Sequence, residues 1–410
     1  MASLLAPLSN RVFARLFGAQ VTALLGTGLL TMALALLAYD LAGLQGGLVL
    51  GFALTLKMVA YVAIAPIANA VLGGLPRRGL LVTLDLIRAA LALCLPFVTE
   101  VWQIYALVFV LQSASAAFTP TFQATIPEIL PDEENYTRAL SLSRLAMDLE
   151  TMASPILAAL LLTIVPLGGL FVGTALGFLG SAALVVWANP PRPAKRPEAS
   201  TWTRTFAGIT MMLGTPRLRG LLALHLAASA GGAMVIVNTA VIVNGLFGQT
   251  KTDVALAMAA FGAGSMVAAF ALPRILDHLP DRPVMVSGAV GLGVMQILGA
   301  VIFGLAPVFG EAVWGAYLVW MAAMGLAYST ILTPTGRLLR RSAGPVERPA
   351  LFAAHFALSH AAWLLTYPLA GWLGAIAGMT AASALLGLLA MAAALGAAQL
   401  WPKSPQAANL

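Results

Sequence analysis

The sequence predicts an all-α membrane protein, with twelve transmembrane helices in two six-helix halves. Three observations carry that prediction. Of 410 residues, 60% are hydrophobic and 9% charged; a soluble domain carries about 25% charged residues, so too few polar side chains are present to cover a water-facing surface. The apolar residues fall into twelve runs long enough to cross a bilayer, with none of the alternating ten-residue strands of a membrane barrel. Lys and Arg gather in alternate connections between the runs.

The runs lie at 16–39, 47–72, 80–98, 102–126, 139–165 and 167–188, then 219–246, 254–273, 284–305, 313–335, 350–375 and 378–401. At about 1.5 Å per residue, roughly 20 residues cross a ~30 Å hydrocarbon core, and every run is near that length. The first follows Arg11 and Arg15 and contains Ala33-Leu34-Ala35, in outline a secretion signal. Its apolar stretch exceeds a signal core and eleven more runs follow, so it reads as a retained first helix. Between the sixth and seventh runs, Asn189 to Pro197 contains four prolines, which favour an extended chain. Trp202, Phe206, Ile209 and Leu213 follow at helical spacing, suited to the membrane surface. The expected organisation is a first half at 1–188, a linker with a short amphipathic helix at 189–217, a second half at 218–402 and a tail at 403–410.

Placing both termini in the cytoplasm puts the basic residues from Arg11 to Lys403 inside, except Lys251 in an outer loop and Lys57, Arg88 and Arg144 within spans. The net charge of +7 is therefore a topology signal, and no nucleic-acid partner is inferred from it. The single cysteine, Cys94, excludes an internal disulfide and reads as a small apolar residue. Leu75-Pro76-Arg77-Arg78-Gly79-Leu80-Leu81-Val82 and Leu279-Pro280-Asp281-Arg282-Pro283-Val284-Met285-Val286 share Leu-Pro-x-Arg-x-x-x-Val. Each sits between the second and third span of its half, as duplicated halves related by an axis along the membrane normal require.

Twelve spans, cytoplasmic termini, a central linker and basic turns after spans two and eight resemble the major facilitator superfamily over the whole chain. In that family's loop pattern, Arg77 and Arg78 match the closing basic pair, while Asn69 stands at the glycine position and Gly73 at the acidic one. In the second half Asp277 takes the acidic position, with Arg282 after it. The exporters' Gly-x-x-x-Gly-Pro-x-x-Gly of span five corresponds to Glu150-Thr151-Met152-Ala153-Ser154-Pro155-Ile156-Leu157-Ala158, where only the proline is kept. With Leu95 to Tyr105 and Pro120 to Pro127, region 85–155 is most similar to bacterial nickel-resistance (NreB-type) exporters, although Trp401 to Leu410 lacks their histidines. The resemblance implies a monomeric, multi-pass protein of the bacterial inner membrane. It would export a small solute by alternating access, in exchange for protons, without a cofactor.

Ionisable groups inside a bilayer are costly and are functional candidates by default. Arg144 and Asp148, at i and i+4, suit an ion pair on one face of span five, and Glu150 points about 120° away. Glu150 is the candidate proton carrier, with a hydrogen-bonded structural side chain as the alternative. Lys57 has no acidic neighbour in its own span, so it needs a cavity or an acid such as Asp148 or Glu150 on another. Asp85 and Arg88, at i and i+3, are expected to lock a gate or a helix end, together with Arg77, Arg78, Asp277 and Arg282.

His225, His355 and His360 offer imidazoles to a nickel or cobalt ion, yet the last two, at i and i+5, diverge by about 140° and chelate poorly alone. Interior hydrogen bonding is their alternative role. Gln20, Gln112, Gln123, Asn238, Asn244 and Gln296 are expected to line a cavity or bond between helices. Trp363 and Tyr367, at i and i+4, suit stacking on an organic solute, or packing. The sequence has no Gly-Lys pair for a phosphate-cradling loop, and neither His-Glu-x-x-His nor Gly-x-Ser-x-Gly, so neither a primary pump nor an enzyme is expected. Two substrate classes stay open, a divalent metal and an organic solute such as a drug or metal-chelating metabolite. A lipid-translocating or signalling membrane protein is the reading from a different class.

Overall fold

The computed structural model describes residues 5–64, 75–191, 201–344 and 347–401, and among these every regular element is helical. In chain order these are α1 (Arg11–Ala42), α2 (Gly46–Val59, extended by a π-helical turn at Ala60–Ile64), α3 (Arg77–Cys94), α4 (Val101–Ile129), α5 (Glu133–Leu162) and α6 (Leu167–Ala188). Then follow α7 (Thr201–Gly214), α8 (Pro216–Ala240, extended by a π-helical turn at Val241–Leu246), α9 (Lys251–His278), α10 (Asp281–Phe309), α11 (Trp314–Leu332), α12 (Thr335–Ser342) and α13 (Arg348–Leu400).

Among the described residues, nine stretches are long and apolar enough to cross a membrane. Two of them hold a pair of spans each. Arg11–Ile64 contains α1 and α2, and Ala354–Leu400 breaks within α13 at Gly378, where φ is 80°. With α5 added, the twelve spans of an all-α membrane protein are present. The linker prolines Pro193 and Pro197 and the motif positions Asn69 and Gly73 lie outside the described residues.

Local chemistry explains where the helices start and stop. Glu100 and Gln103 form a capping box at the start of α4, and Thr250 and Asp253 form another at α9, satisfying orphan N–H groups that lipid cannot. Gly43, Gly248, Gly310 and Gly378 all have positive φ, and each sits in a connection that the charge distribution assigns to the outside.

By contacts the chain divides into two compact units, one of Met1–Leu37 with Val59–Pro197, the other of Ala38–Met58 with Glu198–Leu410. Residues 38–58, the end of α1 and most of α2, group by contacts with the second six spans. In the first unit α3 packs on α6 and α4, around Phe13, Leu16, Leu81, Phe118, Phe122 and Val185. In the second, α8 is buried on nearly every side, as an all-round apolar helix must be, and packs chiefly on α13. The linker helix α7 also lies on α13, with Met212 buried; the side chains of Trp202 and Phe206 lie outside the described residues.

Small residues set the closest crossings, because packing without a hydrophobic drive between helices rewards close approach. At the α9–α11 crossing, a Cβ on Gly264 would overlap the Ala322 carbonyl and one on Gly325 the Phe261 carbonyl. Replacing Gly325 by Leu is therefore expected to destabilise the second unit by about 1–3 kcal/mol or more. Thermal unfolding in detergent checks this, with Gly315→Ala, which meets nothing within 4 Å, as the unaffected control.

Candidate functional site

In the first unit, α5 presents its polar side chains to α1. Ser143 Oγ donates to Gln20 Oε1 at 2.8 Å. Two to three turns along, Glu150 Oε1 and Ser154 Oγ rest against Gly28, where any Cβ would overlap both. Gly28 thus makes room for a carboxylate between two membrane helices. Ser154 Oγ is buried and makes no hydrogen bond among the described residues. The side chains of Arg144 and Asp148 lie outside the described residues.

Asp85 and Arg88 have a different setting. Asp85 is fully buried, pairs with Arg88 and accepts from Ser181 Oγ of α6 at 2.7 Å. The Arg88 guanidinium lies between two rings, 4.1 Å from the Phe118 centroid on α4 and 4.4 Å from that of Phe178 on α6. A desolvated cation on aromatic faces gains about 2 kcal/mol per good contact, and the carboxylate cancels its charge. The pair binds α3, α4 and α6 together.

Arg77, 2% exposed at the start of α3, pairs with Glu128 at the end of α4, at 3.2 Å. Arg78 Nη1 donates to Asn189 Oδ1 at 3.4 Å. Glu128 was not singled out in the sequence, because its partner lies 51 positions away and no spacing rule links them. Gln112 of α4 is buried and Gln123 exposed.

In the second unit the expected histidines separate. The His225 and His355 rings meet edge to face with centroids 4.5 Å apart, joining α8 to α13. His360, five positions on, bonds through Nδ1 to the Phe356 carbonyl at 2.6 Å, and its ring lies 4.0 Å from that of Phe356. Lys57 of α2 is its electrostatic neighbour. Among the described residues no group of three or more His, Cys, Asp and Glu is placed to hold a metal ion. Among the described residues His225 and His355 bring two imidazoles together, short of a group of three.

Aromatic rings continue from there. Trp363 and Tyr367 are 4.8 Å apart, Tyr328 of α11 is 6.5 Å from Trp363, and Phe261 of α9 is 5.6 Å from Tyr328. Trp363 presses on α8 where Gly232 leaves space. Tyr328 had no sequence signal, since its ring neighbours sit on other helices.

The amides of this unit bond between helices. Asn238 Nδ2 donates to the Ala370 carbonyl at 3.1 Å. Gln296 accepts from Ser383 Oγ at 2.8 Å, and its Nε2 faces the Ala230 carbonyl at 3.4 Å. Both residues are fully buried. Asn244 sits on the π-helical turn after α8, its Nδ2 buried.

At the other end, Asp281 bridges Arg337 and Arg341 of α12 at 3.2 and 3.3 Å, and Arg337 also donates to the Leu276 carbonyl. Arg282 donates to the Ala398 and Trp401 carbonyls at 2.6 and 2.9 Å, capping α13 where the helix dipole favours a cation. The side chain of Asp277 lies outside the described residues.

A twelve-span helical bundle with polar groups held at membrane depth is the architecture of a solute transporter. The Major Facilitator Superfamily family model matches residues 16–248 and 221–410, and the chain belongs to that family. Macrolide efflux protein A of Streptococcus pyogenes is 24% identical over 192 residues, 46% of this chain and 47% of that protein, so the match spans about half the relative's length. Three solved structures share the fold. A POT family transporter in complex with a thioalcohol conjugated peptide has a TM-score of 0.73 at 15% identity, covering 94% of this chain and 95% of its own. The human organic anion transporter MFSD10 has 0.64 at 14%, covering 94% and 99%. The nucleoside transporter NupG has 0.67 at 12%, covering 96% and 100%.

The Asp85–Arg88 pair yields a sharp stability prediction. Asp85→Leu should destabilise the protein by about 3–5 kcal/mol, because it leaves a buried guanidinium uncompensated. Asp85→Leu with Arg88→Met should recover most of that loss, read as thermal unfolding of the purified protein.

Proposed function

We propose that the protein is a proton-coupled exporter of an organic solute, lying in a bacterial inner membrane with both termini in the cytoplasm. The observation that carries the substrate class is the run of rings Phe261, Tyr328, Trp363 and Tyr367 in the second unit, which also holds the neighbours His360 and Lys57. Aromatic faces with a few polar groups suit an apolar organic body better than a naked cation. The macrolide efflux relative supports export and puts macrolides first among the organic tracers to try. The orientation rests on the basic residues, with Lys251 on the outer side.

Coupling is assigned to α5. Glu150, seated against Gly28 beside Ser154, takes a proton from the outside, and protonation removes the charge that otherwise requires water or a cation nearby. Solute then exchanges for the proton as the access side changes. Asp148 with Arg144 is the neighbouring pair that would hold a complementary charge.

A second reading, export of nickel or another divalent ion as in the NreB-type exporters, is favoured by one observation, the contact of His225 with His355. A third ligand would have to come from the solute or from water.

Transport into inverted vesicles under an imposed proton gradient separates the two readings. The organic reading expects gradient-driven uptake of a labelled macrolide, a several-fold higher KM in Trp363→Ala, and no flux of radiolabelled nickel. Nickel uptake that His225→Ala abolishes, with no movement of organic tracer, would replace it by the metal reading.

A further inference from the structure

The end of the first unit that the basic residues place in the cytoplasm divides its charge between two sides. Arg77 and Arg78 are neighbours at the start of α3, about 100° apart around the helix, and they meet different partners. Arg77 is buried against Glu128 of α4, and the acids Asp132, Glu133 and Glu134 follow in the sequence at the α4–α5 junction. Arg78 is exposed and reaches Asn189 at the end of α6. On this second side the segments 1–37, 75–84 and 167–197 contain no acidic residue.

Two more arginines stand there. The Arg15 guanidinium of α1 lies 4.5 Å from the centroid of the Trp187 ring, and its Nη1 donates to the Trp187 carbonyl at 2.7 Å. Arg11, one turn before it, is exposed. Arg15 and Arg78 are thus anchored two residues apart on α6, each by one hydrogen bond, where a guanidinium has five N–H groups to give. Among the described residues Arg11, Arg15 and Arg78 make no ion pair. In the sequence Arg192, Lys195 and Arg196 come directly after the end of α6.

Trp187 sets the depth of this patch. It is 66% exposed at the end of a membrane-spanning helix, and indole rings in that position mark the boundary between hydrocarbon and headgroups. A guanidinium stacked on such a ring is held at the level of lipid phosphates and keeps its remaining donors for them. The α1–α6 crossing is tight at Gly26, where a Cβ would lie 2.9 Å from the Thr174 carbonyl oxygen, and looser towards the patch, where one on Gly180 would first meet Thr22 at 3.9 Å. Leu176, Leu179 and Val186 are exposed on α6, apolar surface along which an acyl chain can lie. Cations with no acid beside them, an interfacial indole and apolar surface running into the membrane together describe a lipid with a negative headgroup better than a dissolved anion.

We propose that the ends of α1, α3 and α6 form a seat for an acidic phospholipid of the phosphatidylglycerol type, its phosphodiester held by Arg15 and Arg78 and one acyl chain lying along α6. The seat selects net charge, because a zwitterionic headgroup would bring its own cation among the arginines. Only the choice of leaflet rests on the orientation proposed above. Binding read in detergent depends neither on that orientation nor on transport, so the two readings can fail separately.

Native mass spectrometry of the full-length protein in detergent, titrated with phosphatidylglycerol or with phosphatidylcholine, tests this by counting bound lipids. The first phosphatidylglycerol should be several-fold more populated than the first phosphatidylcholine in the wild type and in Arg274→Gln, which removes an exposed arginine at the end of α9 in the second unit. The preference should fall several-fold in Arg78→Gln and vanish in Arg15→Gln with Arg78→Gln, while Arg15→Lys, which keeps the charge and loses the flat stacking group, should lie between. Thermal unfolding identifies folded variants, and Arg78→Gln, an exposed side chain with one long hydrogen bond, decides the matter if the double variant does not fold. Equal binding of the two lipids, or a preference that survives in folded Arg78→Gln, would overturn the seat. Displacement of the lipid by millimolar glycerol phosphate would overturn it too, in favour of a site for soluble anions.

Discussion

Hydrocarbon offers no hydrogen bonds and no counter-ions, so a polar group in a span is stable where the protein answers it or water reaches it. Asp85, Arg88 and Ser181 show the first solution in full. Charge cancels charge, a hydroxyl takes the second carboxylate oxygen, and two phenyl rings cover the guanidinium faces. Glu150 shows a contrasting arrangement, in which α1 gives up a side chain at Gly28 to admit a carboxylate beside a hydroxyl that has no hydrogen bond among the described residues. The same constraint thus separates residues that hold the first unit together from those suited to chemistry.

The second unit repeats the pattern with amides and rings. Asn238 and Gln296 each bond to α13, and Gln296 also to α8, so these two join helices more than they line a path. The rings from Phe261 to Tyr367 and the imidazoles of His225, His355 and His360 lie in this unit, and their chemistry differs most from that of the carboxylate on α5. An exporter divided in this way would read the solute's shape on one set of helices and the proton on another. Such a division lets one transport cycle couple two unlike ligands through a shared conformational equilibrium.

What the sequence made legible follows from the range of each physical signal. The helical spans and the α13 break near residue 378 were readable because hydropathy is summed over some twenty residues. The divergence of His355 from His360 was readable because helical phase is local. Partners on other helices were not. Arg77 with Glu128, Asp281 with Arg337 and Arg341, and Tyr328 with Trp363 depend on how helices are laid side by side, which no spacing along the chain encodes. The grouping of residues 38–58 with the second unit was hidden for the same reason. Its glycines at 47 and 51 were visible in the sequence, but Gly371, on which a Cβ would meet the Gly47 carbonyl, lies more than three hundred positions away.

The central claim is that Glu150 couples solute movement to protons without being the main determinant of solute binding. The most direct test compares two modes of transport in one Glu150→Gln preparation in liposomes. Solute counterflow, which needs no gradient, should continue at close to the wild-type rate, whereas accumulation driven by a proton gradient should be lost. Gradient-driven accumulation that survives in Glu150→Gln would contradict the account and move coupling to another residue.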